Sequence, residues 1–328
     1  MKRLGNLFEK IVDKDNIRLA HVNAQKGKTF YKEVKMVNSD TDTYIGNIHN
    51  MLVDKTFKNA PYEIMHKRCS GKDREIYKLP YYPDRIIHHA IMQVVEPIWQ
   101  SILIENTYSS IKGRGIHTGL KRLKIDLENI PETQYCLKLD IKKFYPSIDN
   151  AILKDVVRKK IKDASLLWLL DEIIDSTKGV PIGNYLSQYL SNVYLAYFDH
   201  YCKEVLSLKY YHRYCDDIVI LHYSKEHLHT VFKVIENYLN SNLNLDVKSN
   251  YQVFPVSIRG IDFLGYRFFH THILLRKRIA KAMKRAVRKN IKPTTGASYY
   301  GWCKHANCYN LRQKYLQDYE SKFKRKAS

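Results

Sequence analysis

Two adjacent aspartates, Asp216 and Asp217, stand between two apolar runs and constrain this 328-residue chain more than any other feature. The flanking residues 208–214 and 218–223 are rich in β-prone side chains, which predicts strand, tight turn and strand with the acids at the tip. Burying like charges side by side is unfavourable, so such a turn normally has a cation beside it. The alternative is a purely structural turn, since Asp is a common turn residue.

A second candidate strand, residues 136–141, carries Asp140 near its end, just before the break at Phe144-Tyr145-Pro146. Hard divalent cations such as Mg²⁺ prefer oxygen ligands. Carboxylates on two neighbouring strands suit a site with two metal ions for in-line phosphoryl or nucleotidyl transfer. We therefore predict a metal site at Asp140, Ile141, Asp216 and Asp217.

The charge of the chain points to a polyanionic partner. It has 55 Lys and Arg against 33 Asp and Glu, a net charge of +22 and a pI near 9.5, and such an excess is the electrostatic footprint of nucleic-acid binding. Residues 271–328 contain 16 Lys and Arg and 2 Asp and Glu, so this segment contributes +14. An apolar content of 45% is enough to fill hydrophobic cores, so the chain is not a disordered tail.

The six cysteines are scattered, and the sequence has neither a signal peptide nor a long apolar run. This pattern predicts a cytoplasmic chain with free thiols and no membrane association. The cluster Cys303-Lys304-His305-Ala306-Asn307-Cys308 offers three ligands without a fourth nearby, which disfavours a zinc site.

Four short motifs occur in the order found in one enzyme family. They are Asp140-x4-Tyr145, Gly183-x3-Ser187-Gln188, Tyr214-x-Asp216-Asp217 and Phe263-Leu264-Gly265-Tyr266. The chain resembles the reverse transcriptases from about Arg74 to its C terminus. The resemblance implies an α+β right-hand polymerase with a ferredoxin-like antiparallel palm. The implied regions are an N-terminal helical extension (1–55), fingers (56–130), a palm (131–270, with some fingers elements around 150–180) and a short basic helical thumb (271–328).

The resemblance also implies roles in binding the incoming nucleotide. Lys72 and Arg74 would hold its triphosphate, although a basic turn can also be merely solvated. Tyr145 would be the steric gate that leaves no room for a 2′-hydroxyl, and the alternative is a core aromatic residue. Ile182, Gly183 and Gln188 would line the same site.

Lys248 occupies the place of the family's palm lysine, near the departing pyrophosphate. An ammonium group there can offset developing charge or donate a proton. A solvated loop lysine is the alternative reading of Lys248.

Contacts with the template and primer are expected in two places. Gly113 and Gly115 beside Lys112 and Arg114 let backbone and charge approach a phosphate chain closely. The second place is the turn before the thumb together with the basic thumb helix itself. Its candidates are Phe263, Leu264, Gly265, Tyr266, Lys277, Lys281, Lys284 and Arg288.

The variant Ile182-Gly183 with Ser187-Gln188 resembles the reverse transcriptases of diversity-generating retroelements. That branch implies error-prone cDNA synthesis from a template RNA with dNTPs, two Mg²⁺ ions that Mn²⁺ can replace, and a small accessory protein. Two alternatives stay open: a phage-defence reverse transcriptase that copies a non-coding RNA, and an RNA-binding relic with an inactive site. The intact set of three carboxylates argues against the relic.

Overall fold

The computed structural model describes residues 2–69, 72–289 and 291–324, without the side chains of Cys69, Lys72 and residues 318–324. The chain begins with helices that pack around a later, central helix. They are α1 (Phe8–Val12), α2 (Lys14–Ala24), α3 (Lys32–Ser39) and α4 (Thr41–Val53). The carboxylate of Asp13 caps α2 by accepting from the amides of Asp15 and Asn16. Ile17, Ile45 and Ile48 are fully buried in the shared core.

A solvent-exposed hairpin follows, formed by β1 (Glu63–Cys69) and β2 (Lys72–Lys78) in antiparallel register. We call it the outer hairpin. The predicted turn at Ser70 and Gly71 lies outside the described residues. The central helix α5 (Ile86–Gln100) comes next and buries Ile87, Ile91 and Val95, as the apolar spacing predicts. Helix α6 (Ile116–Asp126) completes this part of the chain.

The middle of the chain forms an antiparallel sheet covered by helices. Its strands are β3 (Tyr135–Asp140), β4 (Tyr210–Tyr214), β5 (Asp217–His222) and β6 (Gln252–Pro255). Between β3 and β4 lie α7 (Phe144–Ser147), α8 (Asn150–Arg158), α9 (Ala164–Ile174), α10 (Tyr185–Tyr194) and α11 (Ala196–His200). Helix α12 (Lys225–Leu243) joins β5 to β6. The sheet order β4-β5-β3-β6 and this βαββαβ sequence confirm the predicted ferredoxin-like α+β fold.

The C-terminal part packs around a second hydrophobic core, which it shares with one face of the central sheet. Its elements are α13 (Val256–Arg259), β7 (Ile261–Phe263), β8 (Tyr266–Phe268), β9 (Ile273–Leu275), α14 (Lys277–Arg288), α15 (Pro293–Lys304) and α16 (Tyr309–Lys324). Phe263, Tyr266 and Met283 are fully buried there, together with Leu123 of α6. Within the described ranges, no helix combines the length and apolar character that crossing a bilayer requires.

Candidate active site

The antiparallel register of the sheet brings the predicted carboxylates to one edge. Strands β4 and β5 form the acidic hairpin, which closes through Cys215 and Asp216 with Tyr214 opposite Asp217. Cys215 adopts the left-handed conformation with φ of +57°. On the other side of β5, Asp140 stands opposite Asp217, and the amide of Ile141 donates to the Asp216 carbonyl at 3.3 Å. Asp140, Asp216 and Asp217 therefore meet where β3 ends and β5 begins.

The surroundings of the site make the charged form of two of its carboxylates unfavourable. Burial raises the pKa of Asp216, and the neighbouring charge of Asp140 raises it further. Burial raises the pKa of Asp217 to about 6, although the ammonium group of Lys138 opposes this shift. Carboxylates with raised pKa values are stabilised by any positive charge that comes close.

Two lysines supply part of that charge. The ammonium group of Lys248 donates to Oδ1 of Asp140, and the Lys248 amide donates to the Asp140 carbonyl at 2.9 Å. Lys138 places Nζ 3.4 Å from Oδ1 of Asp217 and donates to the main-chain carbonyl of Asp262. The sequence prediction included Lys248 but missed Lys138. Its spacing of two residues from Asp140 was the available signal, because such residues share one face of a strand.

The donor set suits a hard divalent cation. Asp217 Oδ1 is buried, and its partner among the described residues is the ammonium group of Lys138, at 3.4 Å and without hydrogen-bond geometry. Carboxylate oxygens are the ligands that Mg²⁺ prefers. As the side chains stand, the described part of the chain contains no group of three or more His, Cys, Asp and Glu residues arranged to hold a metal ion. Asp140 is engaged by Lys248, so a cation at Asp140 would compete with the ammonium group for the same oxygen.

Tyr145 lies beside the acidic hairpin. Lys143, in the left-handed conformation, turns the chain from β3 into the short helix α7 that carries Tyr145. The Tyr145 hydroxyl oxygen accepts from Cys215 Sγ at 3.4 Å, and burial raises the pKa of the phenol, so it stays neutral. The half-buried ring thus lies beside the turn that carries the carboxylates, and its role as a steric gate stays a prediction.

The loop before α10 is attached to the outer hairpin. The Ile182 carbonyl accepts from the Tyr77 amide at 2.7 Å. Gly183 has φ of +123°, and a Cβ atom at this position would lie 2.6 Å from the Tyr77 carbonyl oxygen. Only glycine allows this approach without strain. Ile182 is half-buried and Gln188 is exposed on α10.

Arg74 is exposed on β2, opposite Lys67. Within the described ranges, its side chain has neither a hydrogen bond nor an ion pair. The side chain of Lys72 is outside the described residues. The proposed triphosphate contacts of both residues stay predictions.

The two cationic candidates for contact with the template before α6 differ in how free their side chains are. Lys112 is exposed. Arg114, in contrast, donates from Nη1 to the carbonyl of Ile104 at 2.7 Å, so part of its guanidinium anchors the loop after α5. Its predicted template contact would have to use the remaining nitrogens.

The turn between β7 and β8 requires a correction. Phe263 and Tyr266 are fully buried and Leu264 is 6% exposed. The ring of Trp302 of α15 packs against Tyr266, and a Cβ atom at Gly265 would lie 2.5 Å from it, whereas Leu264 lies against Gly119 of α6. These side chains hold the hairpin in place and offer no surface for the duplex. Any contact there is left to the main chain of the turn.

Helix α14 presents a cationic face. Lys277, Lys281 and Arg288 are exposed, and the ammonium group of Lys284 lies 5.6 Å from the centroid of the Tyr315 ring. Arg276, immediately before the helix, donates from Nε to Oδ1 of Asp262 at 2.5 Å. The base of α14 is thereby joined to β7.

Comparison with known proteins agrees with this geometry. Residues 65–268 match the protein family described as reverse transcriptase (RNA-dependent DNA polymerase). Protein YkfC of Escherichia coli (strain K12) is 29% identical over 150 residues, which cover 42% of this chain and 39% of that protein. The group II intron-encoded protein LtrA of Lactococcus lactis subsp. cremoris is 28% identical over 178 residues, covering 50% of this chain and 28% of LtrA. The chain therefore spans well under half the length of these curated relatives.

Two solved structures share the fold. Telomerase from Candida albicans, in complex with the TWJ fragment of telomeric RNA, matches with a TM-score of 0.52 and 13% identity over 83% of this chain and 57% of that chain. Apo telomerase from Candida tropicalis matches with a TM-score of 0.51 and 12% identity over 73% of this chain and 54% of that one. At such identities the likeness concerns the fold alone.

Proposed function

Since the chain belongs to the reverse transcriptase family, we propose that it is an RNA-directed DNA polymerase that copies a template RNA into cDNA. The observation that carries this proposal is the register that gathers Asp140, Asp216 and Asp217 at one sheet edge, with the Tyr145 ring beside them. An RNA-binding relic would have no electrostatic reason to keep three carboxylates of unfavourable charge together.

Reverse transcriptases generally use divalent metals, and this site has the ligands for them. Asp140, Asp216 and Asp217, with the main chain of Ile141, would hold two Mg²⁺ ions, for which Mn²⁺ can substitute. When bound, such ions activate the primer 3′-hydroxyl and neutralise charge on the triphosphate. Lys248 holds Asp140 in the free protein, and its Nζ is the group we assign to offset charge on, or donate a proton to, the departing pyrophosphate.

We assign each of the remaining site residues either to the incoming nucleotide or to the template–primer duplex. Tyr145 would exclude the 2′-hydroxyl, which favours dNTPs over rNTPs. Lys72, Arg74, Ile182, Gly183 and Gln188 would surround the nucleotide. The exposed cations Lys112, Lys277, Lys281 and Arg288, with Lys284, would bind phosphates of the template–primer duplex.

The proposal is tested with purified protein, a DNA primer annealed to an RNA template, dNTPs and Mg²⁺. We expect primer extension that stops on chelation with EDTA and is much weaker with rNTPs. A protein that binds the primed RNA tightly but never extends it would instead be the RNA-binding relic. Efficient extension with rNTPs would indicate an RNA polymerase.

Within the family, we propose the diversity-generating retroelement branch, with an accessory protein as a further partner. The aliphatic side chain of Ile182 supports this assignment, since it cannot make hydrogen bonds that would constrain the nascent base pair. Errors should concentrate opposite template adenines, and Ile182→Gln should reduce them, as counted by sequencing the cDNA. If the wild-type protein copies adenine as accurately as the other bases, the phage-defence alternative is favoured.

A further inference from the structure

A completely buried ion pair joins β4 of the acidic hairpin to α11, close to the turn of the hairpin. Arg213 of β4 and Asp199 of α11 are both 0% exposed. Nε of Arg213 donates to Asp199 Oδ1 at 2.7 Å, and Nη2 donates to Asp199 Oδ2 at 2.6 Å. This is the two-pronged geometry in which a guanidinium and a carboxylate bind most strongly.

The pair is enclosed by further polar partners. The hydroxyl groups of Tyr211 and Thr107 donate to Asp199 at 2.6 and 3.1 Å. Arg213 Nη1 also donates to the side-chain oxygen of Asn192 at 3.1 Å. The guanidinium is therefore held by groups from α10 and α11, while hydroxyl groups from β4 and from the segment between α5 and α6 hold the carboxylate.

The same Nη1 atom reaches the acidic hairpin. It donates at 3.0 Å to the main-chain carbonyl of Cys215, the residue between Tyr214 and Asp216. Cys215 has the left-handed φ of +57°, which is unfavourable for a residue with a side chain and needs support from its surroundings. The hydrogen bond from Arg213 fixes this peptide group, and the next two residues are the carboxylates.

Stability alone does not account for this arrangement. Two charges removed from water gain little net stability from each other, and apolar residues of similar volume are often as stabilising or more so. An apolar side chain could not hold the Cys215 carbonyl, and a lone arginine there would be an unpaired buried charge. Asp199 makes the buried arginine tolerable, while the arginine fixes the turn.

We propose that Arg213, clamped by Asp199, is a positioning residue that fixes the Cys215 peptide and thereby the separation and direction of the Asp216 and Asp217 carboxylates. The proposal rests on the polymerase function above. It assigns Arg213 no contact with nucleotide, metal or duplex.

The first test is Arg213→Lys, which keeps the charge opposite Asp199 but cannot bind the carboxylate with two prongs and also reach Cys215. We expect kcat for dNTP incorporation to fall by about a hundredfold, the scale of a misplacement near 1 Å. The KM for dNTP should change little, and half-maximal activity should require more Mg²⁺. Arg158→Lys is the matched control, because Arg158 pairs with Asp171 on α8 and α9, outside the site.

The second test is the double variant Arg213→Met with Asp199→Leu, which leaves neither charge unpaired. Thermal unfolding and circular dichroism report its fold, and Tb³⁺ luminescence reports cation binding without any need for activity. We expect a folded protein that binds primed RNA, is as inactive as Arg213→Lys and binds Tb³⁺ more weakly than wild type.

The inference is overturned if either folded variant keeps activity within about threefold of wild type and the same cation affinity. Unfolding of both variants would also overturn it, since Arg213 would then serve the fold rather than the turn. Absence of activity in the wild-type protein would count against the polymerase proposal alone. Tb³⁺ binding would still test the role of Arg213 in that case.

Discussion

The acidic hairpin and the outer hairpin are both two-stranded antiparallel ribbons with charged residues, yet their surroundings are opposite. In the acidic hairpin, Tyr211 and His212 are 0% exposed, and β5 is flanked by other strands on both sides. In the outer hairpin, even the apolar Ile64 and Met65 are 49% and 51% exposed. One ribbon is enclosed by the fold and the other projects from it.

The charged side chains of the two hairpins differ in the same way: some have fixed partners and others are exposed. Asp217 has Lys138 as a fixed neighbour, and Arg213 fixes the peptide before Asp216, so the carboxylates have defined directions. Arg74 of the outer hairpin is exposed and forms neither a hydrogen bond nor an ion pair with the described residues, so it is available for a ligand that arrives. Metal-dependent chemistry needs preset geometry, whereas capture of a diffusing polyanion needs accessible charge. The outer hairpin is attached through Tyr77 to the loop at Ile182 and Gly183. This loop leads into α10, and Asn192 of that helix accepts a hydrogen bond from Arg213 of the acidic hairpin, so the two ribbons are connected through the loop and α10.

The largest effect is expected in the enclosed ribbon. Asp216→Ala or Asp140→Ala removes a carboxylate for which the fold has no replacement, and dNTP incorporation should fall at least about a thousandfold, roughly 4 kcal/mol of barrier. Single-turnover primer extension measures this loss, and a filter-binding assay should show little change in affinity for primed RNA.

The control for this prediction is Asp175→Ala. Asp175 forms a surface ion pair with Lys154 at 2.8 Å, and such pairs contribute little. Residual synthesis within about tenfold of wild type in either site variant would break the assignment of the carboxylates.

The next largest effect is expected where the ribbons are connected. Gly183→Ala would place Cβ 2.6 Å from the Tyr77 carbonyl oxygen at a φ of +123°, so the loop and β2 must separate. We expect kcat/KM for dNTP to fall by about thirtyfold, with a loss of stability on the order of 1–3 kcal/mol from the strained backbone. Steady-state kinetics and thermal unfolding measure the two quantities.

Gly46→Ala is the matched substitution in α4, where an added Cβ meets nothing within 4 Å. It should leave activity unchanged and stabilise the helix slightly. If Gly183→Ala behaves in the same way, the two ribbons act independently.

A smaller effect is expected in the exposed ribbon. Arg74→Ala should raise the KM for dNTP by about tenfold through loss of a charge-assisted contact with the triphosphate, with little change in kcat or stability. Arg68→Ala is the control, since Arg68 stands opposite Asp73 and therefore on the other face of the hairpin. Equal effects of both variants would mean that the hairpin attracts nucleotides only through its total charge.

An effect of the same size is expected at the border of the enclosed site. Tyr145→Ala should raise the ratio of rNTP to dNTP incorporation by about tenfold, because the ring would no longer fill the space of a 2′-hydroxyl. Competition of each rNTP with its dNTP on one primed template measures the ratio. An unchanged ratio in an active variant would make Tyr145 a packing residue.

The carboxylates of the enclosed site could be predicted from the sequence because a short local pattern marks each of them. Asp140 and Asp216 each sit at the end of an apolar run, and strand register then brings them together without further information. Of the partners, Lys138 left only a weak signal, its spacing of two residues from Asp140, and Arg213 left none. Lys138 is one of many lysines, and the pairing of Arg213 with Asp199 depends on how α11 packs against β4.

The β7–β8 turn shows the opposite case, in which a local motif is present but the exposure of its side chains cannot be predicted from it. Phe263 and Tyr266 fit a family motif, and the motif implied contact with the duplex. Their burial depends on residues distant in the chain, such as Trp302, which packs against Tyr266 and whose position no local pattern reveals. The same holds for Arg114, since a cation beside glycines can bind either a phosphate or a main-chain carbonyl.

The contacts of Asp262 link the chemistry to mechanical movement. Lys138 joins the Asp217 carboxylate to the Asp262 carbonyl, and the Asp262 carboxylate binds Arg276 at the start of α14. A displacement of this helix would pull on the same lysine that balances Asp217. The helix that carries the exposed cations and the carboxylate of Asp217 are thus connected through one side chain, so a shift of the helix would change the charge balance at the carboxylates.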